Sequence, residues 1–160
     1  MNNQPVAWAA VGNGDSEYSE RIKTIKNDGE YLFEKYCNEK KYNFYRLGFD
    51  EHKKNVDKYW RLNKFLRNLP DYIVNTTTKT FVVSVKGTDN FKQKEFTMMP
   101  ELAKFLNSEE APWIYAFCFK EQKSPICLYP KQVVELYEKG IDEKWHDGVI
   151  YRNLNIRKKK

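Results

Sequence analysis

Cysteine and histidine are scarce in this chain of 160 residues, and neither is arranged for chemistry. The three cysteines, Cys37, Cys118 and Cys127, are odd in number and form no CxxC pair. That argues against a disulfide framework or a zinc knuckle, and fits small apolar core residues in a reducing cytoplasm. His52 and His146 stand alone, without Cys or His at ligand spacing. His-based zinc chemistry and a Ser-His-Asp arrangement are therefore unsupported. No apolar run approaches the roughly 20 residues of a membrane helix, so no membrane association is expected. The stretch from Met1 to Gly12 lacks a basic segment, and its short apolar run ends in Gly12-Asn13-Gly14-Asp15, so no signal peptide is expected. There is no internal repeat, and the only low-complexity block is Arg157-Lys158-Lys159-Lys160.

What the chain does have is aromatic and charged side chains. Aromatics make up 16% of the residues, which is too many for a disordered chain. At about 150 residues per domain the length corresponds to a single domain, able to fold without staples. The expected organisation is a loose leader over 1–15, one domain over 16–156 and a basic tail over 157–160. The formal net charge is +6, and a basic, aromatic-rich chain suits a polyanion such as nucleic acid.

Periodicity and turn residues predict short helices over Ser16–Lys26 and Gly29–Lys40. In the second, Leu32, Phe33, Tyr36 and Cys37 form one apolar stripe, and Asp28 is placed to cap it. A strand is expected over Tyr42–Phe49 and a helix over Asn55–Leu69. Two β-rich runs, Pro70–Val74 and Thr80–Lys86, flank the turn-forming Asn75-Thr76-Thr77-Thr78-Lys79 and predict a hairpin. Phe91–Phe96 is expected to be extended, and Pro100–Asn107 helical with Pro100 at its first turn. Trp113–Phe119 is almost wholly apolar and predicts a central strand buried on both faces. A strand over Ile126–Tyr129, a helix over Pro130–Lys139 ended by Gly140, and an extended piece over Val149–Ile156 complete the order. Helices alternating with strands predict an α/β sandwich around one sheet.

The chemistry-bearing feature is an aspartate at the head of one hairpin strand, Asp71, and a lysine at the end of the next, Lys86. An antiparallel hairpin brings the two together. Carboxylate oxygens are hard ligands for Mg²⁺, and an adjacent ammonium can position water and offset phosphate charge. Pro70-Asp71, a hairpin, then Ser84-Val85-Lys86 resembles the PD-(D/E)xK nuclease superfamily. The likeness extends to a preceding glutamate-bearing helix, Gly29 to Glu34, and to a following helix and apolar strand. It covers roughly residues 29–130 and is nearest in layout to archaeal Holliday-junction resolvases.

The resemblance implies a restriction-endonuclease-like fold, a central mixed β-sheet flanked by helices. It also implies a Mg²⁺- or Mn²⁺-dependent endonuclease acting on DNA, with branched or structured DNA as substrate and a homodimer as assembly. RNA stays open as a substrate. The chain departs from the pattern at Ser84, which stands where the family carries Glu. Either a carboxylate from the next helix takes over, with Glu101 as candidate and Glu95 in reserve, or the metal site is lost and the fold survives as a nucleic-acid-binding or assembly protein. The implied catalytic set is Asp71, Lys86, Glu34, Glu101 and Ser84, with Asp71, Glu101, Glu34 and Val85 as the metal set. Glu30 rivals Glu34 one helical turn earlier. Lys58, Arg61, Lys64 and Arg67 share one predicted helix face that could follow phosphates, with Lys92 and Lys94 as further contacts. Tyr59, Trp60 and Trp145 could stack on bases. A basic protein–protein adaptor is a third reading of the charge.

Overall fold

A computed structural model describes residues 28–47, 68–106 and 108–157 of the chain. Their elements run α1 (Asp28–Lys40), β1 (Asn43–Arg46), β2 (Tyr72–Asn75), β3 (Thr80–Lys86), β4 (Asn90–Lys92), α2 (Gln93–Leu106), β5 (Trp113–Phe117), β6 (Ile126–Leu128), α3 (Pro130–Glu138), β7 (Glu143–Lys144) and β8 (Ile150–Asn153). The five-stranded sheet has the order β1-β2-β3-β5-β6. Only the β3–β5 pair is parallel; the other neighbours are antiparallel. The chain is thus α/β with a mixed sheet, as its alternating elements predict. The helix expected over Ser16–Lys26 and most of that over Asn55–Leu69, with Lys58, Arg61, Lys64 and Arg67, lie outside the described residues. No helix among the described residues is long and apolar enough to cross a membrane.

The β2–β3 hairpin forms because two β-branched, aromatic-rich runs flank a threonine-rich turn. Thr76 closes that turn. Its backbone N–H donates to the Lys79 carbonyl at 2.8 Å, and its Oγ1 accepts from Lys79 N at 3.1 Å. The register sets Tyr72 opposite Val83 and Asn75 opposite Thr80. Side chains alternate across a strand, so Val83 and Val85 face one side while Ser84 and Lys86 face the other. The first side is covered by α1 and packs Phe33, Cys37, Phe44, Tyr72, Val74, Val83 and Val85 into one core. The second is covered by α2 and α3 and packs Met99, Leu102, Trp113, Tyr115, Phe117, Val133 and Tyr137. The fully buried Tyr72 packs on Phe33 and Phe44 at centroid distances of 5.1 and 5.9 Å. β5 is buried on both faces, as its sequence predicts. Cys37 and Cys118 are buried core residues, whereas Cys127 on β6 is exposed.

Two expectations are corrected. The segment expected to be extended over Phe91–Phe96 ends as a strand at Lys92, and α2 begins at Gln93 with Pro100 inside it. A proline within a helix forfeits one intrahelical hydrogen bond. Burial of Met99 and Leu102 offsets that loss, and Phe96, Met99, Leu102 and Leu106 share one helical face against the core. Secondly, there is a further three-stranded antiparallel sheet, β4-β8-β7, where only one sheet was expected. β7 and β8 are joined through Asp147-Gly148. Gly148 takes φ 89°, a left-handed conformation that glycine adopts without penalty.

Candidate functional site

Asp71 sits just ahead of β2, where the hairpin runs out of strand. Its backbone N–H still donates to the Val83 carbonyl at 2.9 Å. Its Oδ2 accepts from the Val85 N–H at 2.7 Å, so the carboxylate is held by the neighbouring strand rather than by a flexible contact. Lys86 ends β3, and its ammonium is paired with Glu95 and lies 5.4 Å from the centroid of the Phe91 ring. Glu95 reaches it because α2 starts at Gln93, which puts this acid in the first helical turn, where the helix dipole favours negative charge. A cavity of about 220 Å³ is lined by Asp71, Lys86, Glu95, Ser84, Glu30 and Tyr115, among others.

Burial governs the ionisation here. Desolvation raises the Asp71 pKa from the usual carboxylate range, opposed by the Val85 hydrogen bond and by the charges of Lys86 and Arg46. Burial also lowers Lys86 to about 8, opposed by the Asp71 charge. An aspartate pushed up and a lysine pushed down, facing one cavity, form the kind of pair found where proton and charge placement matter.

The expected site residues divide in two. Asp71, Ser84, Val85 and Lys86 line one cavity together. Ser84 is buried there, and its Oγ accepts from the Trp113 indole N–H at 2.9 Å, so its hydroxyl is already engaged. The Val85 side chain belongs to the core under α1, and its backbone N–H is the group that holds Asp71. Glu101 is exposed on α2 and lines no cavity with Asp71; the acid from that helix beside Lys86 is Glu95. Glu34 lies in the core layer under α1, only 4% exposed, hydrogen-bonded by Tyr72 Oη and by Arg46 Nη1 at 3.1 Å. Burial pushes its pKa up to about 7, against the Tyr72 hydrogen bond. Glu30, one turn earlier, lines the Asp71 cavity and pairs with Arg46 at 3.6 Å. Lys92 and Lys94 are exposed, and Arg61, Lys64 and Arg67 lie outside the described residues.

Sequence reasoning passed over Arg46 and Tyr115, and the helical spacing of Phe96, Met99 and Leu102 was the signal that would have moved the helix start, and with it Glu95, to the front. Asp71 and Glu95 are hard oxygen donors from different elements facing one space, which suits a Mg²⁺-like ion bound by one or two carboxylates and completed by waters and substrate phosphates. Among the described residues no group of three or more His, Cys, Asp or Glu is gathered as a ready-made metal cage. Comparison with protein-family models, curated proteins and solved structures finds no match for the chain.

Proposed function

We propose that the chain is a metal-dependent nuclease that hydrolyses phosphodiester bonds in DNA, on a restriction-endonuclease-like core. The observation that carries this reading is the convergence of Asp71, Lys86 and Glu95 on one cavity at the open end of the β2–β3 hairpin. The order α1-β1-β2-β3-β4-α2-β5, apart from the short β4, also supports the layout that the PD-(D/E)xK resemblance implies. In this reading the acid missing at Ser84 is supplied by the next helix, as Glu95.

Asp71 and Glu95 would hold the divalent cation. Its chemistry is to lower the pKa of a bound water and to polarise the phosphoryl oxygens. The Val85 N–H fixes the Asp71 carboxylate through Oδ2. Glu95 holds Lys86 at the cavity wall, where the ammonium orients a water and neutralises charge on a phosphate oxygen. With Lys86 at about 8, the ammonium is the main form at neutral pH.

A cleavage assay on plasmid and oligonucleotide substrates with Mg²⁺ or Mn²⁺ tests the reading. Asp71→Asn and Lys86→Met should each lower the rate on the order of 10²–10³-fold. Cleavage that persists undiminished in both variants would overturn it. A second reading, a binding protein without hydrolysis, is favoured by the Trp113–Ser84 hydrogen bond and by the Lys86–Glu95 pair, which occupy groups that a metal site would use. It predicts nucleic-acid binding by a wild-type protein that cleaves nothing.

A further inference from the structure

Most polar groups around the Asp71 cavity already have partners. Asp71 Oδ2 accepts from the Val85 N–H at 2.7 Å, Ser84 Oγ accepts from the Trp113 indole N–H at 2.9 Å, and Lys86 and Glu95 hold each other. Glu30 pairs with Arg46. Tyr115 differs from all of these. It lines the same cavity and is only 3% exposed, yet among the described residues no hydrogen bond engages its hydroxyl. Its oxygen is not among the sealed atoms, so it keeps contact with solvent space.

The sheet explains how the phenol arrives there. β3 and β5 run parallel with Ser84 opposite Tyr115, so both side chains leave on the side covered by α2. Three rings then fix the phenol. Trp113 lies at a centroid distance of 5.2 Å, Phe91 meets it edge-on at 5.5 Å and Phe117 stacks at 6.3 Å. Burial and the nearby Asp71 charge both push the phenol's pKa up, so the group keeps its proton and can donate but not attack. A buried hydroxyl without a partner is costly, and phenylalanine would fill the same ring space without that cost. A donor held in place before any ligand arrives is what stabilises a developing negative charge best. The acids of the cavity suit a cation, and a phosphate arriving with that cation brings the charged oxygen that such a donor needs.

We propose that the Tyr115 hydroxyl donates a hydrogen bond to a non-bridging oxygen of a phosphodiester held in this cavity, and so is a catalytic residue of the site. This deepens the nuclease reading and rests on it for the phosphodiester, but the contact itself requires no hydrolysis.

The test compares the full chain with Tyr115→Phe, which keeps the ring and removes only the hydroxyl. The melting temperature should equal or exceed that of wild type, because no intramolecular hydrogen bond is lost. A fall of more than about 3 °C would mark the hydroxyl as structural and overturn the proposal. With Ca²⁺ and a labelled DNA duplex, fluorescence anisotropy should show binding weakened about tenfold in the variant. With Mg²⁺, kcat/KM should fall on the order of 10²-fold, part of it in kcat. Sulfur is a poorer acceptor than oxygen. A phosphorothioate duplex of one of the two configurations should therefore slow wild type markedly and slow Tyr115→Phe much less, since the two changes remove the same bond. Unchanged binding and cleavage in Tyr115→Phe, or the same sulfur effect in both proteins for both configurations, would overturn the contact and leave the nuclease reading standing. Weakened binding by Tyr115→Phe beside a wild-type protein that cleaves nothing would support the contact and overturn the nuclease reading alone.

Discussion

The two faces of the central sheet carry similar chemical groups in opposite circumstances. Under α1, Glu34 and Tyr72 form an acid–hydroxyl pair buried against an aromatic core, with the half-buried Arg46 at its rim also paired with Glu30 of the cavity wall. Across the sheet, Asp71, Lys86 and Glu95 form an acid–cation–acid cluster facing a cavity. Burial perturbs ionisation in both, and perturbed pKa values occur in structural networks as well as in active sites. Access separates them. The buried Glu34–Tyr72 pair bears on stability, whereas the other cluster lines a cavity of about 220 Å³.

Five substitutions would break or sharpen that contrast. The largest effect belongs to the sealed side. Tyr72→Ala should cost about 3–5 kcal/mol in denaturant unfolding, because it empties a fully buried site and strips Glu34 of its hydroxyl partner. A loss below about 1 kcal/mol would mean that this core is not closed. On the open side, Glu95→Gln should lower cleavage on the order of 10²-fold, about 2.7 kcal/mol, while Glu101→Gln leaves the rate unchanged. The reverse ranking would move the second carboxylate to Glu101. Glu34 should reveal itself in the pH dependence of stability. Its folded pKa is raised from 4.5 to about 7, so the folded state retains a proton that the unfolded chain releases. Stability should therefore fall as pH rises from about 4.5 to about 7, by at most about 3 kcal/mol. Glu34→Gln should remove that fall, and parallel curves for the two proteins would count against it. The smallest effect is expected for Trp113→Phe. It removes the hydrogen bond to Ser84 and should cost about 1–2 kcal/mol in stability, read by thermal melting against wild type.

Much of the framework was legible because local pattern and tertiary demand agree. The apolar run from Trp113 to Phe117 is the inner strand beside β3, and Thr80–Lys86 is a strand with the expected partner. Asp71 and Lys86 meet because a hairpin leaves little freedom in how its two open ends face each other. The helix start was misjudged because Pro100 is a strong local signal, overridden by burial of Met99 on one side of it and Leu102 on the other. That one displacement exchanged Glu101 for Glu95. The small sheet went unread because β7 is only two residues long and takes its partner from β8, which also pairs with the distant β4.

The strands of the five-stranded sheet, the hairpin and the identities of the aspartate and lysine at its ends follow from the chain alone. They rest on interactions between near neighbours, which pattern and turn chemistry determine. Which glutamate completes the cavity, whether Glu30 or Glu34 borders it, and the place of Tyr115 in its wall were decided only by the folded molecule. Those arrangements depend on the packing of segments far apart in sequence, where one or two helical turns move a carboxylate from the cavity wall into the core or to solvent.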